Sequence, residues 1–276
     1  MLGLAACTAT PAREAAVKPA PRVVSLNPCT DAILAEVADP RQLLALSHYS
    51  RDPASSSMDP RRAARFPSVS GTVEEVLALR PDVVVSGTFT PPATVDAFAR
   101  LNIRLVQMPI ATSVEQSKAQ VAQLAALAGH PARGAALNAR IDQALAAAAP
   151  KPGPKSGPKP GHAPIPAVVW QSGGIVPGPD TLIADLLRRT GFAHFSAARG
   201  LKQADALPLE RLLADPPRVI LAAGNARSAE DRMLAHPALD ALGQTRRAPF
   251  DPSLLWCGGP TIVRAAERLA AVRASL

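Results

Sequence analysis

Thr72-Val-Glu-Glu-Val-Leu-Ala-Leu-Arg-Pro-Asp-Val-Val-Val85 decides the fold, because it carries a helix signal and a strand signal with a proline between them. Thr72 and Glu75 make a capping box, the hydroxyl serving the amide three residues on and the carboxylate reaching back. Val73, Val76 and Leu77 give the helix one apolar face and leave Glu74 off it. Pro81-Asp82 ends the helix, and Val83-Val84-Val85 is a β-branched run of the length of a buried strand. A helix feeding straight into such a strand predicts layered α/β structure around a mainly parallel sheet.

The same alternation runs outward in both directions. Upstream, residues 22–26 read as a strand, 30–37 as a helix with Ile33, Leu34 and Val37 on one face, and 43–47 as a second strand. Residues 48–68 are polar and broken by proline, a long loop of the kind that carries function. Downstream, a helix at 92–101, a strand at 104–108 and a helix at 113–128 complete an N-terminal lobe, 22–130. Residues 131–149 follow as one Ala-rich connecting helix with Leu137, Ile141 and Leu145 at four-residue spacing. Residues 150–166 hold seven Pro, three Gly and three Lys and read as a linker without a core of its own. The C-terminal lobe, 167–276, repeats the pattern with strands at 167–171 and 218–223, helices at 181–190 and 208–214, a short helix at 234–242 and a last helix from Pro260.

Composition agrees with two lobes. The chain has 276 residues, 47% hydrophobic and 19% charged, enough for a sizeable core and more than one domain of ordinary size. Its net charge of +8 is diffuse, with no basic run longer than two residues, so a phosphate-tracking surface for nucleic acid is not expected. Aromatic residues make up only 3%, too few for a broad stacking surface, which makes the positions of Tyr49, Trp170 and Trp256 informative. No apolar run is long enough to span a bilayer. At the start, Leu4-Ala5-Ala6-Cys7 resembles the lipobox of a bacterial lipoprotein, with residues 8–21 as a tether, so lipidation at Cys7 and an extracytoplasmic location are expected.

Catalytic signatures are missing: there is no phosphate loop ending in Gly-Lys-Ser/Thr, no Gly-x-Gly-x-x-Gly after a strand and no Gly-x-Ser-x-Gly elbow. The five histidines are scattered and no Cys-x-x-Cys occurs, so neither a closed zinc site nor a bound cofactor is expected. Ligands of parallel sheets sit beyond the carboxyl ends of strands, which singles out the loops after Leu26, Ser47, Val85 and Gln171.

Arg22-Val-Val-Ser-Leu-Asn-Pro28, the Thr72–Val85 phrase and Pro208-Leu-Glu-Arg-Leu-Leu-Ala-Asp-Pro-Pro-Arg-Val-Ile220, in that order, resemble the helical-backbone substrate-binding proteins of bacterial ABC importers for ferric siderophores and cobalamin. The resemblance runs from Arg22 to the C-terminus. It implies two α/β lobes, each with a mainly parallel sheet, joined by one long helix with a ligand cleft between them and little hinge closure. It further implies a monomer that captures an iron-siderophore or cobalamin-type metal chelate and hands it to a permease and its ATPase in the inner membrane. Glu74 and Glu210 match the surface glutamates, one per lobe, through which the family docks on its permease.

For the cleft, the resemblance points to Tyr49 with its neighbours Ser50 and Arg51, and to Phe89 beyond Val85. It points equally to Trp170 and Gln171 at the end of the first strand of lobe two, and to Trp256 before the last helix. Pro28 and Cys29 at a helix start and Cys257 in a Gly-rich loop complete the candidate set. Cys29 and Cys257 could pair in an oxidising compartment, could face the ligand, or could stay semi-buried and unpaired. Two rival readings stand beside this one. A bare zinc or manganese binder would need several cleft histidines, for which only His48 and His194 offer themselves, and a two-lobed α/β enzyme would need a clustered catalytic set.

Overall fold

The computed structural model describes residues 20–151, 163–224 and 231–276. Lobe one begins with β1 (Val23–Ser25), α1 (Pro28–Val37), β2 (Leu43–Ser47), α2 (Pro60–Ala63) and β3 (Ser68–Val69). It continues through α3 (Val73–Leu79), β4 (Val83–Gly87), α4 (Pro92–Arg100), β5 (Leu105–Met108) and α5 (Val114–Leu127). The strands form one parallel sheet in the order β3-β2-β1-β4-β5. Helix α6 (Pro131–Ala148) then carries the chain to lobe two.

Lobe two contains β6 (Ile165–Gln171), β7 (Ile175–Val176), α7 (Leu182–Arg189), β8 (Phe192–His194), β9 (Asp205–Ala206), α8 (Leu209–Ala214), β10 (Val219–Ala223), β11 (Arg246–Phe250), α9 (Ser253–Trp256) and α10 (Thr261–Ala274). Its parallel sheet runs β11-β10-β6-β8, and β7 pairs antiparallel with β9. The expected two-lobed α/β architecture is thus present.

Helix starts are written in the sequence. Asn27 caps α1, its side chain accepting from the amides of Cys29 and Thr30, with Pro28 in the first turn. Thr72 caps α3 through the Glu75 amide, and the Glu75 carboxylate accepts from the Ser70 hydroxyl and the Ser70 and Gly71 amides. Ser113 and Thr181 do the same for α5 and α7.

Three differences from expectation have physical causes. Strand β6 begins at Ile165, inside the stretch read as linker, because Ile165 and Pro166 lie opposite Phe192 and Ala193 of the edge strand β8. Pro166 is exposed there, where its missing amide hydrogen costs little. Strand β11 hides behind Arg246-Arg247 and Pro249; it is an edge strand burying only Ala248 and Phe250, so its pattern is half polar. The short helix expected at 234–242 is two 3-10 turns, Arg232–Ala235 and Pro237–Ala241, separated at His236-Pro237. The candidate lipid-bearing Cys7 and most of its tether, and residues 152–162 of the linker, lie outside the described residues.

One core serves both lobes. Ile33 and Leu34 of α1, Val121 and Leu124 of α5, Leu137 and Ile141 of α6, Leu186 of α7 and Ile262 and Leu269 of α10 belong to the same buried cluster. Parting the lobes would return several such side chains to water, at roughly 1.5–3 kcal/mol each. Gly134 lets α6 lie directly on α5, since a Cβ there would stand 2.5 Å from that of Ala125. The junction is a packed interface, which resists hinge opening.

Candidate functional site

The carboxyl ends of the two sheets meet at a disulfide. Cys29 stands in the first turn of α1, just beyond β1, and Cys257 follows α9, beyond β11; they are bonded, with Cα atoms 5.0 Å apart. Of the alternatives open for these cysteines, pairing is what the fold adopts, so neither offers a thiol to a ligand. Cys257 is buried and Cys29 half-buried.

Backbone hydrogen bonds seat the loop around the bridge. The amide of Cys257 donates to Ser57 Oγ at 3.0 Å, and that of Gly259 to Ser117 Oγ at 2.7 Å. Glycine is required here: a Cβ on Gly258 would stand 2.2 Å from Ser117 Oγ, and Gly259 holds φ +58° against Ile33. Further out, the buried Asp185 accepts from the Val114 amide at 2.9 Å and pairs with Arg189, which also binds Glu115. The floor between the lobes is therefore fixed covalently and by polar contacts.

Around this floor stand large apolar side chains in water. Tyr49 is 51% exposed, Phe89 83% and Trp256 48%, and each follows the carboxyl end of a strand of one lobe or the other. Scarce rings left in water past the carboxyl ends of strands in both lobes make this end of the sheets the candidate recognition surface. Ile110, after β5, and Ile175, after β6, add exposed apolar area that the sequence reading missed. The signal for Ile110 was its place two residues past a strand end, in a loop that was not among those singled out.

Tyr49 is held from beneath. It sits in a 3-10 turn, His48–Arg51, whose flanks bind the buried Asp31 of α1. Asp31 Oδ2 accepts from the Ser47 amide at 2.9 Å and from the Ser50 hydroxyl at 2.6 Å, while Oδ1 has no hydrogen-bond partner. Burial pushes the Asp31 carboxyl up to about 8, against the opposing pull of the Ser25 and Ser50 hydroxyls and the Ser47 amide. The exposed His48 ring lies 4.0 Å from that of Tyr49.

Other candidates fall elsewhere. Trp170 is fully buried in lobe two, its Nε1 donating to the Leu207 carbonyl at 3.0 Å; it fills the core beneath β6 and does not line the cleft. The reason is strand alternation: Trp170 faces the cluster of Val168, Leu212 and Ile220, and its indole proton finds a backbone acceptor there. Ser50 is buried against Asp31 and supports the Tyr49 turn without reaching the surface. Arg51 is exposed with one guanidinium nitrogen on the Phe66 carbonyl, Pro28 is half-buried at the start of α1, and Gln171 is half-buried at the end of β6.

His194 is half-buried in edge strand β8, where desolvation lowers its pKa and Nδ1 accepts from the Ala197 amide; it is not beside His48 in the sheet arrangement. No group of three or more His, Cys, Asp or Glu suited to a metal ion occurs among the described residues. Glu74 and Glu210 lie exposed in the first turns of α3 and α8, one on each lobe. A cavity of about 480 Å³ opens farther along α1 from the bridge, lined by Glu36, Arg62, Arg140 and Arg264; Glu36 pairs with both Arg62 and Arg140, and Arg264 donates to the Ser57 carbonyl.

Comparison with known proteins accords with this geometry. A family model described as periplasmic binding protein matches residues 23–247. No curated protein matches the chain. Among solved structures, the apo form of the periplasmic heme-binding protein RhuT from Roseiflexus sp. RS-1 is similar with a TM-score of 0.70 at 21% identity, covering 92% of this chain and 97% of that one. The periplasmic heme-binding protein BhuT in complex with two hemes gives 0.68 at 22% identity, covering 91% and 98%. The periplasmic vitamin B12 binding protein BtuF of Vibrio cholerae gives 0.67 at 16% identity, covering 93% and 98%. At these identities the likeness is one of fold.

Proposed function

The chain belongs to the periplasmic binding protein family, which is not enzymatic, and on that premise we propose that it captures a flat, bulky metal chelate of the tetrapyrrole kind, a heme or corrinoid, and delivers it to an ABC permease. The observation that carries this reading is the ring set. Tyr49, Phe89 and Trp256 project partly into water from both lobes around a floor closed by the disulfide. Rings of this kind give flat apolar area suited to the face of a macrocycle. Tyr49 and His48 also bring a phenol and an imidazole to one edge, groups that can ligate the metal of the cargo.

The names of the similar structures support the same chelate class, two being heme binders and one a vitamin B12 binder. Delivery would use Glu74 and Glu210, which are exposed and make no ion pair among the described residues. Each also sits where a carboxylate complements a helix N-terminus, a contribution of roughly 0.3–1 kcal/mol that does not require a partner. Placement in the periplasm with a lipid anchor on Cys7 belongs to this reading. The test is titration with hemin, cobinamide and a ferric siderophore followed by absorbance. Saturable binding of a tetrapyrrole supports the proposal, preference for the siderophore would move the ligand class, and binding of none of the three, with heat released only on parallel calorimetric titration with zinc or manganese chloride, would overturn it.

A further inference from the structure

The first turn of α1 is tied to both sides of the cleft. Its Cys29 is bonded to Cys257, and Cys29 Sγ stands 3.4 Å from the carbonyl oxygen of Trp256, the residue before the bridge. Two residues on, Asp31 holds Ser47 and Ser50, which bracket Tyr49. One turn of helix thus lies a single link from an exposed ring of each lobe.

The Trp256 side chain itself is lightly packed, although its neighbours Leu254 and Leu255 rest on the core. It closes α9, a helix of four residues with no side-chain cap, of which only Leu254 is buried. Its own ring is 48% exposed and gains only part of the burial that would lock a rotamer. The next polar anchor is the Cys257 amide on Ser57, again at the bridge. Cys257 and Gly259 seat the loop that follows on Ser57 and Ser117, so what the covalent link adds is a direct tie between the backbone at Trp256 and the first turn of α1.

We propose that the Cys29–Cys257 disulfide is a positioning element of the ligand site: it registers Trp256 of lobe two against the Tyr49 turn of lobe one through the first turn of α1, and so sets affinity for a flat chelate. The inference rests on the ligand reading above for its affinity, and on geometry alone for the ring position. A purely stabilising bridge is the competing account, since closing a loop of 228 residues would stabilise the fold whatever its location.

The two accounts separate in a Cys29→Ala/Cys257→Ala variant studied well below its melting temperature. Acrylamide quenching of the free protein reads Trp256, because Trp170 is fully buried; Trp256→Phe supplies the blank. The expected result is steeper quenching with emission shifted to the red, and hemin affinity lower by about tenfold. Leu145→Ala, a core change in the connecting helix, lowers stability and leaves both readouts at wild-type values. Should the double variant not fold, the folded wild-type protein is reduced with dithiothreitol, which passes two electrons and two protons to the bridge and becomes a cyclic disulfide, and the two thiols are then alkylated. Wild-type quenching, or wild-type hemin affinity, in the bridge-free protein overturns the proposal. Absence of any chelate binding by the wild-type protein would instead defeat the ligand reading, while quenching still decides the ring's position.

Discussion

Cys29 and Cys257 lie 228 residues apart in the chain and 5.0 Å apart at their Cα atoms, so the covalent link of this protein crosses from one lobe to the other. Around it, backbone amides of the Cys257–Gly259 loop are received by serines of lobe one, and the hydrophobic core passes through the same junction. On the proposed reading, a site built on such a floor is preorganised: a ligand would meet rings already placed, and little binding energy would go into closing the lobes.

Gly258→Val tests that seating. The new side chain would collide with Ser117 and displace the loop from lobe one. A loss of about 2 kcal/mol or more is expected in denaturant unfolding, within the range for overpacked sites. Wild-type stability would mean that the loop does not sit against α5.

The two tryptophans should behave oppositely. Trp256→Ala removes an exposed ring, leaves stability within about 0.5 kcal/mol and weakens chelate binding by about tenfold. Trp170→Ala empties a core position, costs about 3–5 kcal/mol, and leaves the affinity of the folded fraction intact. Thermal melts paired with absorbance titrations check both; the reverse assignment of effects would place Trp170 in the site.

Asp31 gives stability a pH signature. Its folded pKa, about 8, lies above its ordinary value of 3.8, so the folded state holds this proton more tightly than the unfolded state. Its contribution is fully present below the ordinary value and is lost as pH rises through about 8. Unfolding midpoints should fall between about pH 4 and about pH 8 through this group, level off above that, and fall less in Asp31→Asn. Equal slopes would show that the carboxyl is not the group responsible. Glu36 works in the opposite sense: burial disfavours its charge, but Arg62 and Arg140 outweigh that and hold its pKa low, so its contribution is lost in acid.

Glu74→Arg/Glu210→Arg should bind chelate as the wild type does and fail to support uptake in cells, because both carboxylates are exposed and neither takes part in the contacts that hold the Tyr49 turn or the Cys257–Gly259 loop. Normal uptake by the double variant would assign the two carboxylates to their helix dipoles alone.

Much of this architecture was legible because its signals are local. The capping box at Thr72, the β-branched run at Val83–Val85 and the four-residue spacing of Leu137, Ile141 and Leu145 each specify an element without reference to the rest of the chain. What was not legible depends on long-range packing. Trp170 and Trp256 both sit near strand ends and read alike, yet strand alternation sends Trp170 into the core while Trp256 closes the short helix α9 and stays half in water. Pairing of Cys29 with Cys257 required knowing that the carboxyl ends of two sheets meet. Asp31 gave no signal at all, since a lone acid in a first turn suits a helix dipole whether buried or exposed.

The most direct test of the central claim is an absorbance titration of hemin and of cobinamide against the wild-type protein, Tyr49→Ala and Trp256→Ala. Saturable binding of at least one chelate to the wild type is expected, with affinity reduced about tenfold or more in each variant. Failure of both chelates to bind, or binding that neither ring affects, would contradict a chelate site between these lobes.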